Sequence, residues 1–256
     1  NFLKDSHLVA SLVSSSNLDK IDVVYEIGPG AGIITKELAK VAGRVIAIEQ
    51  DTALVQKLRG KFKNFQNVEI HYANFLNFNI EEADYKIFSN IPFNITSDIM
   101  RKILYGGNSP IEAYLIMQKE AAEKFSGIPQ ESQFSVLAKP FFQFDTIRKF
   151  KRTDFVPVPS VEVVLLHIKK RDDPLVSQKN VNIYEKFVKY GFEAWNKNLK
   201  ITYKRVFTYQ QWKRLSKDIG YSIQATPTQL SFEQWLKLFE GFLIHVPDFK
   251  KSLILN

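Results

Sequence analysis

Three glycines at alternate positions, Gly28, Gly30 and Gly32, separate an apolar run from a stretch with helical periodicity. The apolar run spans residues 23–27, and residues 31–41 carry apolar side chains at helical spacing. This order predicts a strand, a tight turn and a helix. Glycine lets a ligand approach the backbone closely, and the first N–H groups of a helix have no partner within it. The turn therefore predicts a ligand site.

Two carboxylates narrow the class of ligand. The dinucleotide fingerprint G-x-G-x-x-G requires a glycine at position 33, which is isoleucine. Glu26 ends the strand before the turn, where it would repel a diphosphate. Glu49 ends the next apolar run, 21 residues after Gly28, where an acid commonly binds both ribose hydroxyls. Together they favour S-adenosylmethionine over NAD, although a glycine triplet alone also fits an ordinary turn.

A second stretch, Asn90-Ile91-Pro92-Phe93, suits methylation of an exocyclic amine on a base. Such a nitrogen is a weak nucleophile because its lone pair is delocalised into the ring. The Asn90 amide oxygen and the Ile91 carbonyl are candidate acceptors for its N–H groups. Pro92 would stiffen the turn, and stacking on Phe93 would contribute roughly 1–3 kcal/mol. The alternative is a strand-end turn with a core phenylalanine.

Phe155 is a candidate second wall for a base turned out of its stack. It opens the proline-rich segment Phe-Val-Pro-Val-Pro. A core phenylalanine beside a rigid proline bend is the alternative.

The elements that must position these residues follow from periodicity. Strands are predicted at residues 21–27, 44–49, 68–72, 86–90 and 113–117, and helices at 6–15, 31–41, 52–61, 97–105 and 120–125. This alternation predicts an α/β domain with a parallel sheet. Residues 142–150 and 161–168 predict an antiparallel pair at the sheet edge. The charged segment 169–174 predicts a boundary between domains 1–171 and 172–256, with helices at 184–195, 209–218 and 232–242 in the second.

Composition limits the class of protein. The chain has 256 residues, 45% of them hydrophobic, and no apolar run approaches the roughly 20 residues that span a bilayer. It has no cysteine, which suits the cytoplasm, and its four histidines are scattered, so no metal site is expected. A net charge of +8 indicates a polyanionic partner such as nucleic acid. Residues 172–256 hold 13 Lys/Arg against 8 Asp/Glu, which makes Lys197, Lys200, Lys204 and Arg205 candidate RNA contacts.

The chain resembles the ribosomal RNA adenine N6-dimethyltransferases, which include Erm-type macrolide-resistance enzymes and KsgA-type housekeeping enzymes. Asn1-Phe2-Leu3 resembles the end of the family's Q-N-F-L, and Asn90 to Phe93 resembles its N-[IL]-P-[YF]. Residues 26–32 are similar to its cofactor loop, and 155–161 to its F-x-P-x-P-x-V. Segments 98–103, 152–155, 206–208 and 231–236 are closer to the Erm branch, whereas 118–123 is closer to the housekeeping branch.

The resemblance implies a Rossmann-like class I methyltransferase with a mostly parallel seven-stranded sheet and a small C-terminal all-α domain. It implies a monomer that methylates N6 of one adenine in protein-poor 23S rRNA and confers resistance to macrolides, lincosamides and streptogramin B. It implies S-adenosylmethionine as cofactor and neither a metal nor a membrane partner. The implied cofactor-binding residues are Asn1, Leu3, Glu26, Gly28, Gly30, Gly32, Glu49, Gln50, Asn74, Phe75 and Asn90, and the implied catalytic residues are Asn90, Ile91, Pro92, Phe93 and Phe155.

The chain departs from the family pattern at Asn74, where the family usually has an aspartate that accepts from the cofactor's adenine. An amide oxygen still accepts but carries no charge, so weaker cofactor binding is expected. Three alternatives remain: the same chemistry on 16S rRNA, an RNA-binding protein that has lost activity, and a small-molecule methyltransferase.

Overall fold

Seven strands form one sheet, and most residues of its central strands are buried. The computed structural model describes residues 2–193 and 197–255. The strands of the chain are β1 (Phe2–Leu3), β2 (Val23–Ile27), β3 (Arg44–Glu49), β4 (Val68–Tyr72), β5 (Lys86–Asn90), β6 (Glu112–Gln118), β7 (Phe142–Lys149), β8 (Phe155–Val156) and β9 (Val163–Lys170). Across the large sheet they run in the order β4-β3-β2-β5-β6-β9-β7. The pairs from β4 to β6 are parallel, and β9 is antiparallel to β6.

Helices follow most of the parallel strands, as expected for βαβ units. The α-helices are α1 (Ser6–Ser14), α2 (Ile33–Val41), α3 (Thr52–Phe62), α4 (Thr96–Tyr105), α5 (Lys119–Ser126), α6 (Gln133–Ala138), α7 (Val181–Phe192), α8 (Leu199–Thr202), α9 (Tyr209–Ile219), α10 (Phe232–His245) and α11 (Asp248–Leu255). Short 3-10 turns add Phe75–Asn77, Phe93–Ile95, Arg152–Asp154, Gln178–Asn180 and Pro227–Gln229. The predicted α/β class with a helical C-terminal region is confirmed.

The chain forms two compact units. One contains residues 1–122 and 143–170, and the other contains residues 123–142 and 171–256. The division differs from the predicted boundary for residues 123–142, which join the C-terminal helices. The physical reason is burial: Val136 of α6 is fully buried in the aromatic core of that unit, and its carbonyl accepts from the Tyr184 hydroxyl at 2.8 Å.

Each unit has its own hydrophobic core. That of the sheet unit includes Val24, Val45 and Phe88. That of the helical unit is aromatic, with Phe187, Trp212 and Trp235 among its buried side chains. The predicted end of α7 at residue 195 lies outside the described residues. Within the described part of the chain, no helix is both long and apolar enough to span a membrane.

Candidate active site

The glycine turn between β2 and α2 requires its glycines for backbone conformation. Gly28, Gly30 and Gly32 have φ of 65°, 57° and 72°, in the left-handed region that side chains disfavour. Gly32 is the N-cap residue of α2. The Phe2 ring covers Gly30 so closely that a Cβ there would lie 2.4 Å from Phe2 Cε1. The turn therefore requires glycine at these positions; Gly30 and Gly32 are buried, and Gly28 is partly exposed.

Glu26 lies at the end of β2 with its side chain fully out of solvent. Its Oε2 accepts a hydrogen bond from the Thr35 hydroxyl at 2.6 Å. Burial raises the pKa of Glu26 to about 8, against the lowering effect of the Thr35 hydrogen bonds, and nearby Glu49 adds to the rise. A buried acid of this kind favours a cationic ligand group, because a cation stabilises its ionised form.

Glu49 ends β3 and binds the backbone around the glycine turn. Its Oε1 accepts from the amides of Gln50 at 2.9 Å and Asp51 at 3.0 Å, and its Oε2 accepts from the Gly30 amide at 3.3 Å. The turn is also held from α3, where Lys61 Nζ donates to the Ala31 carbonyl at 2.7 Å. The two predicted acids thus lie at adjacent strand ends, since β2 and β3 are parallel neighbours.

The Asn90-to-Phe93 stretch lines an open cleft of about 370 Å³, together with Phe2, Gly28 and Asn94. Its backbone is fixed at both ends. The Ile91 amide donates to the Ile116 carbonyl at 3.1 Å, and the Thr96 hydroxyl contacts the Phe93 carbonyl at 3.2 Å. The structure therefore brings Gly28, the first glycine of the turn, and the predicted catalytic stretch to one cleft.

Asn74 and Phe75, two predicted cofactor-binding residues that follow β4, already contact other parts of the protein. Asn74 caps a 3-10 turn, and its Oδ1 accepts from the Leu76 amide at 2.9 Å. The amide oxygen expected to face a cofactor thus already has a structural partner, although an amide oxygen can accept twice. Phe75 is buried, with Lys102 Nζ 5.2 Å from its ring centroid.

The structure corrects the interpretation of Phe155. Its side chain is fully buried, in edge contact with Phe150 at 5.4 Å between ring centroids, so it offers no face to a base. Leu3, its partner in the antiparallel β1–β8 pair, is also a core residue. The core alternative therefore describes Phe155, and the side chain of Leu3 does not line the cleft. Asn1 lies outside the described residues.

Sequence reasoning missed Phe2, which is 51% exposed and lines the cleft. Successive side chains of a strand point to opposite faces, so a buried Leu3 implies an outward Phe2. That signal is weak in β1 because the strand has only 2 residues.

Comparison with known proteins decides the family. A family model described as ribosomal RNA adenine dimethylase matches residues 1–243. The chain belongs to this family. Among the relatives of this chain, an rRNA adenine N-6-methyltransferase of Bacteroides fragilis is 32% identical over 250 residues, 97% of this chain and 93% of that protein. A ribosomal RNA small subunit methyltransferase A of Francisella tularensis subsp. novicida is 29% identical over 208 residues, 78% of this chain and 79% of that protein.

Solved structures agree with the family. The 23S rRNA methyltransferase ErmE has a TM-score of 0.87 and 29% identity, covering 94% of this chain and 99% of that one. A dimethyladenosine transferase from Plasmodium falciparum, at 19% identity and a TM-score of 0.76, shares the fold over 95% of this chain and 98% of that one. From its family and relatives, the chain is an S-adenosylmethionine-dependent enzyme that methylates the N6 amino group of adenine in rRNA.

The residues at the turn fit S-adenosylmethionine. The cofactor carries an ammonium group and a ribose but no phosphate. Glu26 is a buried acid suited to a cation, and Glu49 is an acid at the neighbouring strand end. In residues 2–193 and 197–255, no group of three His, Cys, Asp or Glu side chains could hold a metal ion.

Proposed function

We propose that this enzyme methylates one adenine of 23S rRNA at N6 and thereby confers resistance to macrolides, lincosamides and streptogramin B. The similarity to ErmE supports the 23S target, because it extends over almost the whole of both chains at 29% identity. The small subunit methyltransferase relatives cover only 78% of this chain. Acting on rRNA, the enzyme would work in the cytoplasm.

The proposed roles of the residues follow from the cleft. Glu26 and Glu49 hold the amino acid and ribose ends of S-adenosylmethionine, which supplies an activated methyl group when bound. Asn90 Oδ1 and the Ile91 carbonyl accept the N6 hydrogens, which favours a tetrahedral nitrogen with its lone pair available. Phe93 stacks on the base. No residue is needed as a base before attack, so these groups act by positioning.

Phe2 takes the place that Phe155 was expected to fill. Phe2 and Phe93 are the two aromatic rings that line the cleft. Both are carried on backbone that is held by neighbours, since Leu3 pairs with Phe155 and the Ile95 amide donates to the Pro92 carbonyl at 3.3 Å. We therefore assign to Phe2 an apolar contact with the substrate.

The deciding experiment uses labelled S-adenosylmethionine with protein-free 23S rRNA and 16S rRNA, and maps the product base by mass spectrometry. Label on one adenine of 23S rRNA as N6-methyl or N6-dimethyl adenine is the expected result. Label confined to 16S rRNA would instead support the housekeeping reaction. Cofactor binding without transfer to either RNA would indicate a protein that has lost activity.

Asn90→Ala tests the central role in the same assay. It removes one acceptor for the N6 hydrogens and should lower transfer by roughly 100-fold, by analogy with the loss of one positioned transition-state contact. The dissociation constant for S-adenosylmethionine, measured by calorimetry, should stay within about threefold if Asn90 acts mainly on the base. Transfer at the wild-type rate would remove Asn90 from the mechanism.

A further inference from the structure

The helical unit contains a cavity of its own, of about 290 Å³. It is lined by Lys200, Ile201, Tyr203, Lys204, Phe207, Thr208, Tyr209 and Trp212. Tyr203, Phe207 and Trp212 are buried and form its floor. The Tyr203 hydroxyl donates to the Phe187 carbonyl at 2.7 Å, and Trp212 Nε1 donates to the Ile223 carbonyl at 3.3 Å. The floor is therefore a fixed aromatic surface.

The rim of this cavity is exposed and positively charged. Tyr209 is 63% exposed at the start of α9, and Ile201 is 46% exposed. Lys200 and Lys204 lie at the rim, and neither forms an ion pair with a residue in the described part of the chain. Residues 197–217 contain seven Lys/Arg and no Asp or Glu. An exposed aromatic ring beside unpaired cations is the combination that binds single-stranded nucleic acid.

We propose that this cavity binds an unpaired nucleotide of the rRNA substrate, separate from the adenine that is methylated. The base stacks on Tyr209 at the mouth of the aromatic cavity, and Lys200 and Lys204 contact the flanking phosphates. The inference rests on the proposed function for its substrate class. A cavity of this volume is at the small end of ligand sites, which suits one nucleotide. The proposal also separates the candidate cations: Lys200 and Lys204 line the cavity, whereas Lys197 and Arg205 do not.

Binding of the full-length protein to 23S rRNA tests the proposal with matched variants. Tyr209→Ala should weaken affinity roughly tenfold through lost stacking, and Tyr209→Phe should stay within about twofold. The double variant Lys200→Ala/Lys204→Ala should reduce the slope of log affinity against log salt by about 1.4, or about 0.7 for each phosphate contact on a single strand. The control is Lys213→Ala/Lys217→Ala, which removes the same charge from exposed positions of α9 that do not line the cavity.

The proposal is overturned if both lysine pairs change the slope equally, because binding would then depend on diffuse charge. It is also overturned if Tyr209→Ala binds like the wild type, or if the wild type does not bind rRNA.

Ultraviolet crosslinking gives an independent measurement on the unmodified protein. Trypsin cleaves after Arg205 and Lys213, so Tyr209 and Trp212 fall in one peptide of residues 206–213. A nucleotide adduct on this peptide is expected, and adducts confined to other peptides would contradict the assignment. A methyl transfer assay distinguishes failure of the nucleotide site from failure of the proposed function. If Tyr209→Ala methylates adenine N6 with unchanged affinity for rRNA, the proposed function stands and the nucleotide site does not.

Discussion

At the scale of single residues, the cleft contains one aromatic ring that was expected there and another that was not. Phe93 and Phe2 line it, and Phe155 is in the core. Removing each ring should therefore have a different kind of effect. Phe93→Ala should reduce kcat/KM for rRNA by roughly 10- to 100-fold through lost stacking, whereas Phe93→Tyr keeps the ring face and should be mild.

Phe155→Ala is the matched control for these variants. It removes a buried ring and should cost about 3–5 kcal/mol of unfolding free energy. Urea unfolding followed alongside the kinetics separates the two cases. A Phe155→Ala variant that is stable but inactive would instead support a role for Phe155 in the active site.

The protonation of Glu26 should make the binding of S-adenosylmethionine depend on pH. Its raised pKa of about 8 means that the acid is mostly protonated at neutral pH in the free protein. A bound ammonium group favours the ionised form, so binding of S-adenosylmethionine should release close to one proton. Affinity should accordingly rise with pH between about 6 and 7.5, since less free energy is then needed to ionise the acid.

Calorimetry in two buffers of different ionisation enthalpy measures that proton directly. Glu26→Gln should abolish the release and weaken binding. A binding heat that is the same in both buffers would mean that Glu26 does not face the ammonium group. The sign for folding is opposite: an acid with a raised pKa binds more protons when folded, so its contribution to stability falls as pH rises from about 4.5 to 8.

At the scale of elements, periodicity predicts segments whose burial follows from their local sequence. It misses segments whose burial depends on residues distant in sequence. The strands at residues 44–49, 68–72 and 86–90 have their predicted bounds, because an apolar strand beside a turn is a local signal. The β1–β8 pair was not predicted, because two 2-residue strands lie far apart in sequence. Helix α6 was also missed, since it has 6 residues and begins with a serine capping box rather than an apolar repeat. The Phe155 error has the same origin, because this residue belongs to β8 and pairs with Leu3 of β1.

A glycine-to-alanine substitution can be compared at two positions, one in the glycine turn and one within α3. Gly32→Ala places a side chain at φ 72°, with a Cβ 2.7 Å from Phe62 Cε2 and 2.8 Å from Leu58 Cδ2. It should destabilise the protein by about 2–4 kcal/mol. Gly60→Ala lies within α3, where no described atom outside its chain neighbours and the adjacent helix backbone comes within 4 Å of the added Cβ. It should stabilise the protein by about 0.5–1 kcal/mol, because alanine favours a helix. Thermal or urea unfolding measures both, and destabilisation by Gly60→Ala would contradict the open site.

At the scale of the whole molecule, the net charge of a segment can be counted from the sequence. The unit to which a segment belongs depends on its tertiary burial. Residues 172–256 carry 13 of the 35 Lys/Arg and 8 of the 27 Asp/Glu. The net charge of that part was predictable from sequence. The division into units was not, because residues 123–142 precede two strands of the sheet and yet belong to the helical unit. Only the tertiary burial of α6 shows this assignment.

That assignment can be tested by fluorescence, because all three tryptophans (Trp195, Trp212 and Trp235) fall within residues 171–256. Tryptophan emission during urea unfolding therefore reports on the helical unit. Val136→Ala removes two buried methyl groups and should lower the stability of that transition by about 2 kcal/mol, although Val136 lies 35 residues before the predicted boundary. Val45→Ala makes the same change in the core of the sheet unit and should leave the tryptophan transition in place. Equal shifts from both variants would mean that the units unfold as one cooperative body, and no shift from Val136→Ala would separate residues 123–142 from the helices.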